Sequence, residues 1–132
     1  MNYEISWLLK GRIVLHQTFA LPTQDDVAQM DAQFLDYLEQ AEAPLLHFIY
    51  DMSAQDKVPD LKTMANMEFT RHPAMGWAIV IGTVNPMTKF LITTVSQINK
   101  TRFRMFTTRE EALAFLQEVD NTLPQLAPFL EA

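Results

Sequence analysis

Residues 2–9 alternate cleanly. Tyr3, Ile5, Trp7 and Leu9 fall on one side, Asn2, Glu4 and Ser6 on the other. Residues 12–19 repeat the pattern, with Ile13, Leu15 and Phe19 set against Arg12, His16 and Thr18. This period of two predicts two half-buried strands. A three-residue loop, Leu9-Lys10-Gly11, aligns their apolar sets by pairing Trp7 with Ile13 and Ile5 with Leu15. It also puts Gly11 where such a loop needs a left-handed residue. A two-residue Lys10-Gly11 turn would place Trp7 on the face of Val14 and set the apolar sets at odds. The three-residue register is therefore the expectation, with His16 facing solvent.

The period then changes. Thr23 with Asp26 forms a capping-box-like start, Asp standing for the usual Glu, and Val27, Met30, Phe34, Leu38 and Ala41 recur at helical spacing until Pro44. In Leu45–Tyr50 both alternating sets are mainly apolar: Leu45, His47 and Ile49 against Leu46, Phe48 and Tyr50. A strand covered on both faces has this composition. It ends in an acidic turn, Asp51-Met52-Ser53, and a polar loop covers 54–60. Asp60 caps a helix expected over Leu61 to Arg71, with Leu61, Met64, Ala65 and Met67 inward. Trp77–Ile81 is a second fully apolar strand. Asn85-Pro86 is a cap followed by a first-turn proline. Met87, Phe90, Leu91, Thr94, Val95 and Ile98 follow at helical spacing, the strongest such pattern in the chain. Arg102 to Phe106 is a short last strand, with Phe103 and Met105 opposing Arg102 and Arg104. Thr108 with Glu111 is a full capping box, opening a helix lined by Ala112, Phe115, Leu116 and Val119.

The order β-β-α-β-α-β-α-β-α predicts an α/β fold. An N-terminal antiparallel hairpin leads into a mixed sheet with parallel crossovers and helices packed on it. At 132 residues, one domain over 1–132 is expected, with a core at 3–120 and an apolar, proline-containing tail at 121–132. A chain of this length buries roughly two-thirds of its unfolded surface, enough for a core without staples.

Composition narrows the chemistry. There is no cysteine, so disulfides and thiolate metal sites are excluded. No apolar run approaches the roughly 18 residues of a membrane span. Glu4 and Lys10 interrupt the N-terminal apolar pattern, and no small-residue cleavage site follows, so a soluble, cytoplasmic protein is expected. The net charge of -6 is unevenly placed: residues 1–60 carry -7, residues 61–109 carry +6 and residues 110–132 carry -5. An acidic chain is a poor general binder of nucleic acid. No Gly-rich phosphate loop and no Gly-x-Ser-x-Gly motif is present. His16, His47 and His72 are too far apart in sequence for a short-range ligand motif, so no metal and no cofactor is expected. His47, inside a buried strand, reads as a core imidazole with one hydrogen-bond partner.

Two stretches resemble the STAS family, the sulphate-transporter and anti-sigma-factor-antagonist domains, in its anti-sigma-factor-antagonist-like branch. One is the strand ending Asp51-Met52-Ser53. The other is Asn85-Pro86, Lys89-Phe90-Leu91, Arg104-Met105-Phe106 and Glu110-Glu111-Ala112-Leu113-Ala114-Phe115-Leu116, similar to that family's final helix–strand–helix. The element order matches over about residues 3–120. The resemblance implies a STAS-like mixed sheet and a non-enzymatic regulatory or protein-interaction domain. The family's switch is a phosphorylatable serine at the start of the helix after the central strand. The corresponding positions here are about Val58-Pro59-Asp60-Leu61, with no serine, and Asp60 lies roughly where the acceptor would stand.

Candidate partner or ligand residues follow from topology. Asp51, Ser53 and Asp60 lie beyond the central strand, and Thr83 and Asn85 beyond the second buried strand. Both loops are at the carboxyl ends, where open α/β sheets bind ligands. The alternative is loop polarity and helix capping. Asp51 and Asp60 would form an acid–base pair only in a shielded cleft. Arg102 and Arg104, with Lys89, Lys100 and Arg109, suggest either a docking face for an acidic partner or charges that deter edge pairing. The apolar tail Leu123–Leu130 either packs on its own domain or docks on a second subunit, giving a homodimer. A second class of function is a small-molecule binder, for a lipid or other apolar ligand held between helix and sheet. Eight methionines and nine phenylalanines would make its interior adaptable, and would fill an ordinary core equally well.

Overall fold

The computed structural model describes residues 2–129. Five strands form one sheet in sequential order: β1 (Tyr3–Leu9), β2 (Ile13–Thr18), β3 (Leu46–Asp51), β4 (Met75–Ile81) and β5 (Arg102–Phe106). β1 is antiparallel to β2, and β2 to β5 are mutually parallel. The helices are α1 (Gln24–Glu39), α2 (Leu61–Ala65), α3 (Pro86–Ile98) and α4 (Arg109–Val119), with short 3-10 turns at Phe69–Arg71 and Ala127–Phe129. The predicted mixed α/β sheet and its element order are thus present.

Sequential strand order determines the layering. Three parallel crossovers stepping the same way along the sheet share one hand, so α1, α2 and α3 stand on one face. α4 follows the last strand and covers the other. On the first face Val27, Met30, Phe34 and Leu38 of α1 pack on Tyr3, Val14, Leu46, Phe48 and Ala78. On the second, Ala112, Leu113 and Leu116 of α4 pack on Ile13, Leu15, Ile49, Ile79 and Ile81. Leu123 and Leu126 of the tail are buried in that second layer, so the described tail packs on its own domain; Leu130 lies outside the described residues. The caps form as predicted: Thr23 and Asp26 exchange both bonds of a capping box, as do Thr108 and Glu111, and Asn85 accepts from the Thr88 N–H.

Several expectations need correction. The hairpin pairs Trp7 with Val14 and Ile5 with His16, not with Ile13 and Leu15. Leu9 then pairs with Ile13, so Leu8 is an extra residue on β1, a bulge that turns Leu8 and Leu9 toward α4. Gly11 does hold the left-handed position, at φ 76°. The apolar mismatch that disfavoured this register carries no penalty, because β2 is an interior strand covered on both faces. His16 is consequently 7% exposed rather than facing solvent.

The helix expected over Leu61–Arg71 stops at Ala65. The Asp31 carboxylate of α1 accepts from the Glu68 and Phe69 N–H groups at 3.0 Å, drawing the backbone out of the helix. On α3 only part of the predicted stripe turns inward. Met87, Phe90 and Ile98 are 66%, 63% and 55% exposed, whereas Thr88 is buried and Ile92 and Val95 face the interior. The helix is apolar over much of its circumference, and packing keeps Val95 of the predicted stripe inward beside Thr88 and Ile92. On α4, Leu113 replaces the exposed Val119 in the buried face.

Candidate ligand cavity

A cavity of about 150 Å³ lies between the sheet and α1–α3. β2 contributes His16 and Thr18, β3 Tyr50, β4 Ala78 and Val80, and β5 Phe103. Met30 and Phe34 of α1, Met64 of α2 and Ile92 and Val95 of α3 form the walls, and Phe69 closes a side. Pro22, Lys57, Val58 and Pro59 lie at the edge. The cavity runs from the carboxyl ends of β2, β3 and β4, at His16, Tyr50 and Val80, to the start of β5 at Thr101 and Phe103.

Its polar atoms distinguish it from ordinary core. Both ring nitrogens of His16, the Tyr50 hydroxyl and the Thr101 hydroxyl are buried with no hydrogen-bond partner, and all three residues line the cavity. A buried polar atom left unpaired costs about 1–3 kcal/mol, so such atoms are rare and call for an explanation. His16 is enclosed by rings, with centroids 5.9 Å from Tyr3, 5.4 Å from Phe34 and 5.8 Å from Tyr50. Burial pushes its pKa down to about 4, so the imidazole is neutral at neutral pH, with one N–H and one bare acceptor. Burial raises the Tyr50 phenol well above its ordinary value, keeping that hydroxyl protonated.

The other face of the sheet handles its histidine differently. His47, 0% exposed, accepts the Trp77 N–H at Nδ1 (3.0 Å), so its proton sits on Nε2 and is donated to Asp120 Oδ2 at 2.8 Å. The imidazole therefore has two partners, one more than expected. Gly76 makes room for it, since a Cβ there would lie 2.5 Å from Nδ1. Asp120 caps the end of α4 and also takes Arg12 (3.5 Å) and the Thr122 hydroxyl. Burial works against its charge, yet the bonds from Thr122 and His47 hold its carboxyl at about 2. Burial lowers the His47 pKa against the pull of Asp120.

The residues singled out from the sequence lie around these two sites rather than within them. Asp51 accepts from the Ser53 N–H (2.9 Å), closing the turn after β3. Asp60 caps α2 through the Thr63 N–H (2.8 Å), which holds its exposed carboxyl below the usual range. Asn85 caps α3 and is tied to Asp56, whose Oδ2 accepts its backbone N–H (2.8 Å) and side-chain amide (3.1 Å). Ser53 and Thr83 are exposed. Asp60 is exposed and Asp51 half-buried, and neither is among the residues lining the cavity. Arg102 and Arg104 project from edge strand β5. The Arg104 guanidinium lies over Phe106 (5.2 Å) and Phe115 (4.7 Å), on the α4 side. Among the described residues no three His, Asp or Glu side chains converge as a metal site.

Sequence reasoning passed over His16, Tyr50 and Thr101 as site residues. One signal was available: Ile13-Val14-Leu15 is a continuous apolar run, the mark of a strand buried on both faces, and it carries His16 inside with it.

No protein-family model and no curated protein matches this sequence. Solved structures do match in fold. An uncharacterized protein of the DUF3478 family with a SpoIIAA-like fold, from Shewanella loihica PV-4, superposes with a TM-score of 0.63 at 14% identity, covering 86% of this chain and 91% of that one. The anti-sigma factor antagonist SpoIIAA in its unphosphorylated form superposes at 0.62 and 13% identity, covering 90% and 99%. The fold is STAS-like. At such identities the likeness extends to architecture alone. Among the described residues no helix is long and apolar enough to cross a membrane.

Proposed function

We propose that the chain is a non-enzymatic STAS-like regulatory domain whose input is a small, largely apolar molecule held between the sheet and α1–α3. One observation carries this reading: His16, Tyr50 and Thr101, whose buried polar atoms have no hydrogen-bond partner, are all lining residues of a single, mostly apolar cavity. A few polar groups on an apolar wall are what a small-molecule site needs to orient its occupant. Binding fits the lining better than turnover does, because His16 has no carboxylate to orient it and no nucleophile within hydrogen-bond reach. The reading keeps the cytoplasmic location expected from the sequence. Native mass spectrometry of protein purified from cells tests it. A reproducible non-covalent adduct, diminished by Tyr50→Phe, is the expected result. A bare mass across preparations would overturn the reading.

A second reading, a protein-interaction surface, is favoured by the exposed apolar residues Met87, Phe90 and Ile98 on α3. The fold's likeness to an anti-sigma factor antagonist supports it. On this reading Asp60 stands in place of a phospho-acceptor, and Asp51, Ser53, Thr83 and Asn85 border the docking face. Light scattering of wild type against Met87→Ser/Phe90→Ser reports self-association through α3. Arg102→Glu/Arg104→Glu tests the basic edge in the same assay. Unchanged association in both variants would remove this reading for self-association.

A further inference from the structure

The cavity's dimensions and the placement of its polar atoms restrict what it can hold. At about 150 Å³ it matches the size of an engineered apolar cavity that accommodates benzene. His16 and Tyr50 are register partners on β2 and β3, so their side chains stand side by side on one face. Tyr50 is level with Val80, and Val80 with Met105. Thr101 is four residues before Met105, about 13 Å down the strand at 3.3 Å per residue. The cavity thus has a His16–Tyr50 pole and a separate Thr101 pole, in a lining that is mostly apolar and also includes Thr18, Thr70 and Ser96.

Charge restricts the occupant further. The single charged side chain in the lining is Lys57, which is exposed and at the edge. A carboxylate at the His16–Tyr50 pole would face a neutral imidazole and a phenol, and an ammonium there would find no carboxylate; either would be a buried, unpaired charge. A hydroxyl fits, since it can donate to the bare imidazole nitrogen and accept from the phenol.

Resting on the ligand-binding reading above, we propose that the cavity takes an uncharged, benzene-sized ring bearing a hydroxyl, seated with that hydroxyl between His16 and Tyr50. The competing occupant of that pole is an ordered water, with the apolar space beside it left empty.

Isothermal titration with phenol, toluene and benzoate at pH 7, checked by two-dimensional amide NMR, tests this on wild type and Tyr50→Phe. Phenol is expected to bind wild type roughly tenfold tighter than toluene, the factor that about one net hydrogen bond supplies. Benzoate is expected not to bind. Tyr50→Phe removes one of the two bonds to the ligand hydroxyl, so it should narrow the gap between phenol and toluene while leaving toluene unchanged, which a variant with damaged packing would not do. Toluene binding wild type as tightly as phenol, or benzoate binding better than either, would overturn the ligand class and leave the cavity's binding role standing. An adduct in native mass spectra with no probe binding would likewise overturn this inference alone. No adduct and no probe binding would overturn both.

Discussion

The two buried histidines occupy neighbouring strands and meet opposite surroundings. His47, on β3 facing α4, has both nitrogens engaged, by the Trp77 N–H and by Asp120. His16, on β2 facing α1–α3, has neither engaged and borders a cavity. A buried polar side chain with its partners in place ties elements together: His47 joins the end of α4 to the middle of the sheet. One without partners adds nothing comparable to the fold and is better explained by something it binds. The α4 face therefore reads as scaffold and the α1–α3 face as site.

The comparison is broken most sharply by removing His47. His47→Leu leaves the Trp77 N–H and the Asp120 carboxylate without their partner and should lower stability by about 3 kcal/mol. Urea unfolding measures this, and a loss below about 1 kcal/mol would make the linkage dispensable.

Acid should act nearly as strongly, and through His16. Unfolded, it titrates near 6.5; folded, near 4. Between those values the unfolded chain binds the extra proton. This contribution is therefore complete above about pH 6.5 and is lost as the pH falls toward 4, to a total of about 3 kcal/mol. His47, also lowered by burial, adds in the same direction. Asp120, held at about 2, stays ionised throughout this window. Urea midpoints measured from pH 7 to 4 should fall for wild type and fall much less for His16→Phe.

Asp120→Asn keeps an acceptor for His47 but loses the charge that Arg12 and the imidazole N–H address, and should cost about 1–2 kcal/mol by thermal unfolding. Thr108→Ala removes one side of the α4 capping box and should cost about 1 kcal/mol. Because α4 lies on the scaffold face, Thr108→Ala should leave probe binding in the cavity unchanged, which titration of the variant would check.

The contrast between the faces also marks what could be read from the sequence. Element order, both buried strands and the caps at Thr23, Asp60, Asn85 and Thr108 were legible, because periodicity and capping are local. What depended on neighbours was not. The extra residue at Leu8 reverses the hairpin register without any change in the alternation that predicted it. Thr88 and Ile92 turn α3 inward beside Val95, leaving Met87, Phe90 and Ile98 of the predicted stripe exposed. Asp31 ends α2 from a helix away. The cavity depends on all three helices and on a histidine whose burial follows from the third strand beside it. The acidic and polar loop residues were visible because they are unusual in composition, and Asp51, Asp60 and Asn85 close turns and cap helices there.

The central claim is that His16 serves a site and not the fold, and equilibrium urea unfolding of ligand-free His16→Phe at pH 7 tests it most directly. Phenylalanine removes two unpaired nitrogens and can extend into the adjoining cavity, so stability should stay within about 0.5 kcal/mol of wild type or rise above it. A loss of about 2 kcal/mol or more would mean that His16 is held by the fold much as His47 is, and would contradict the account.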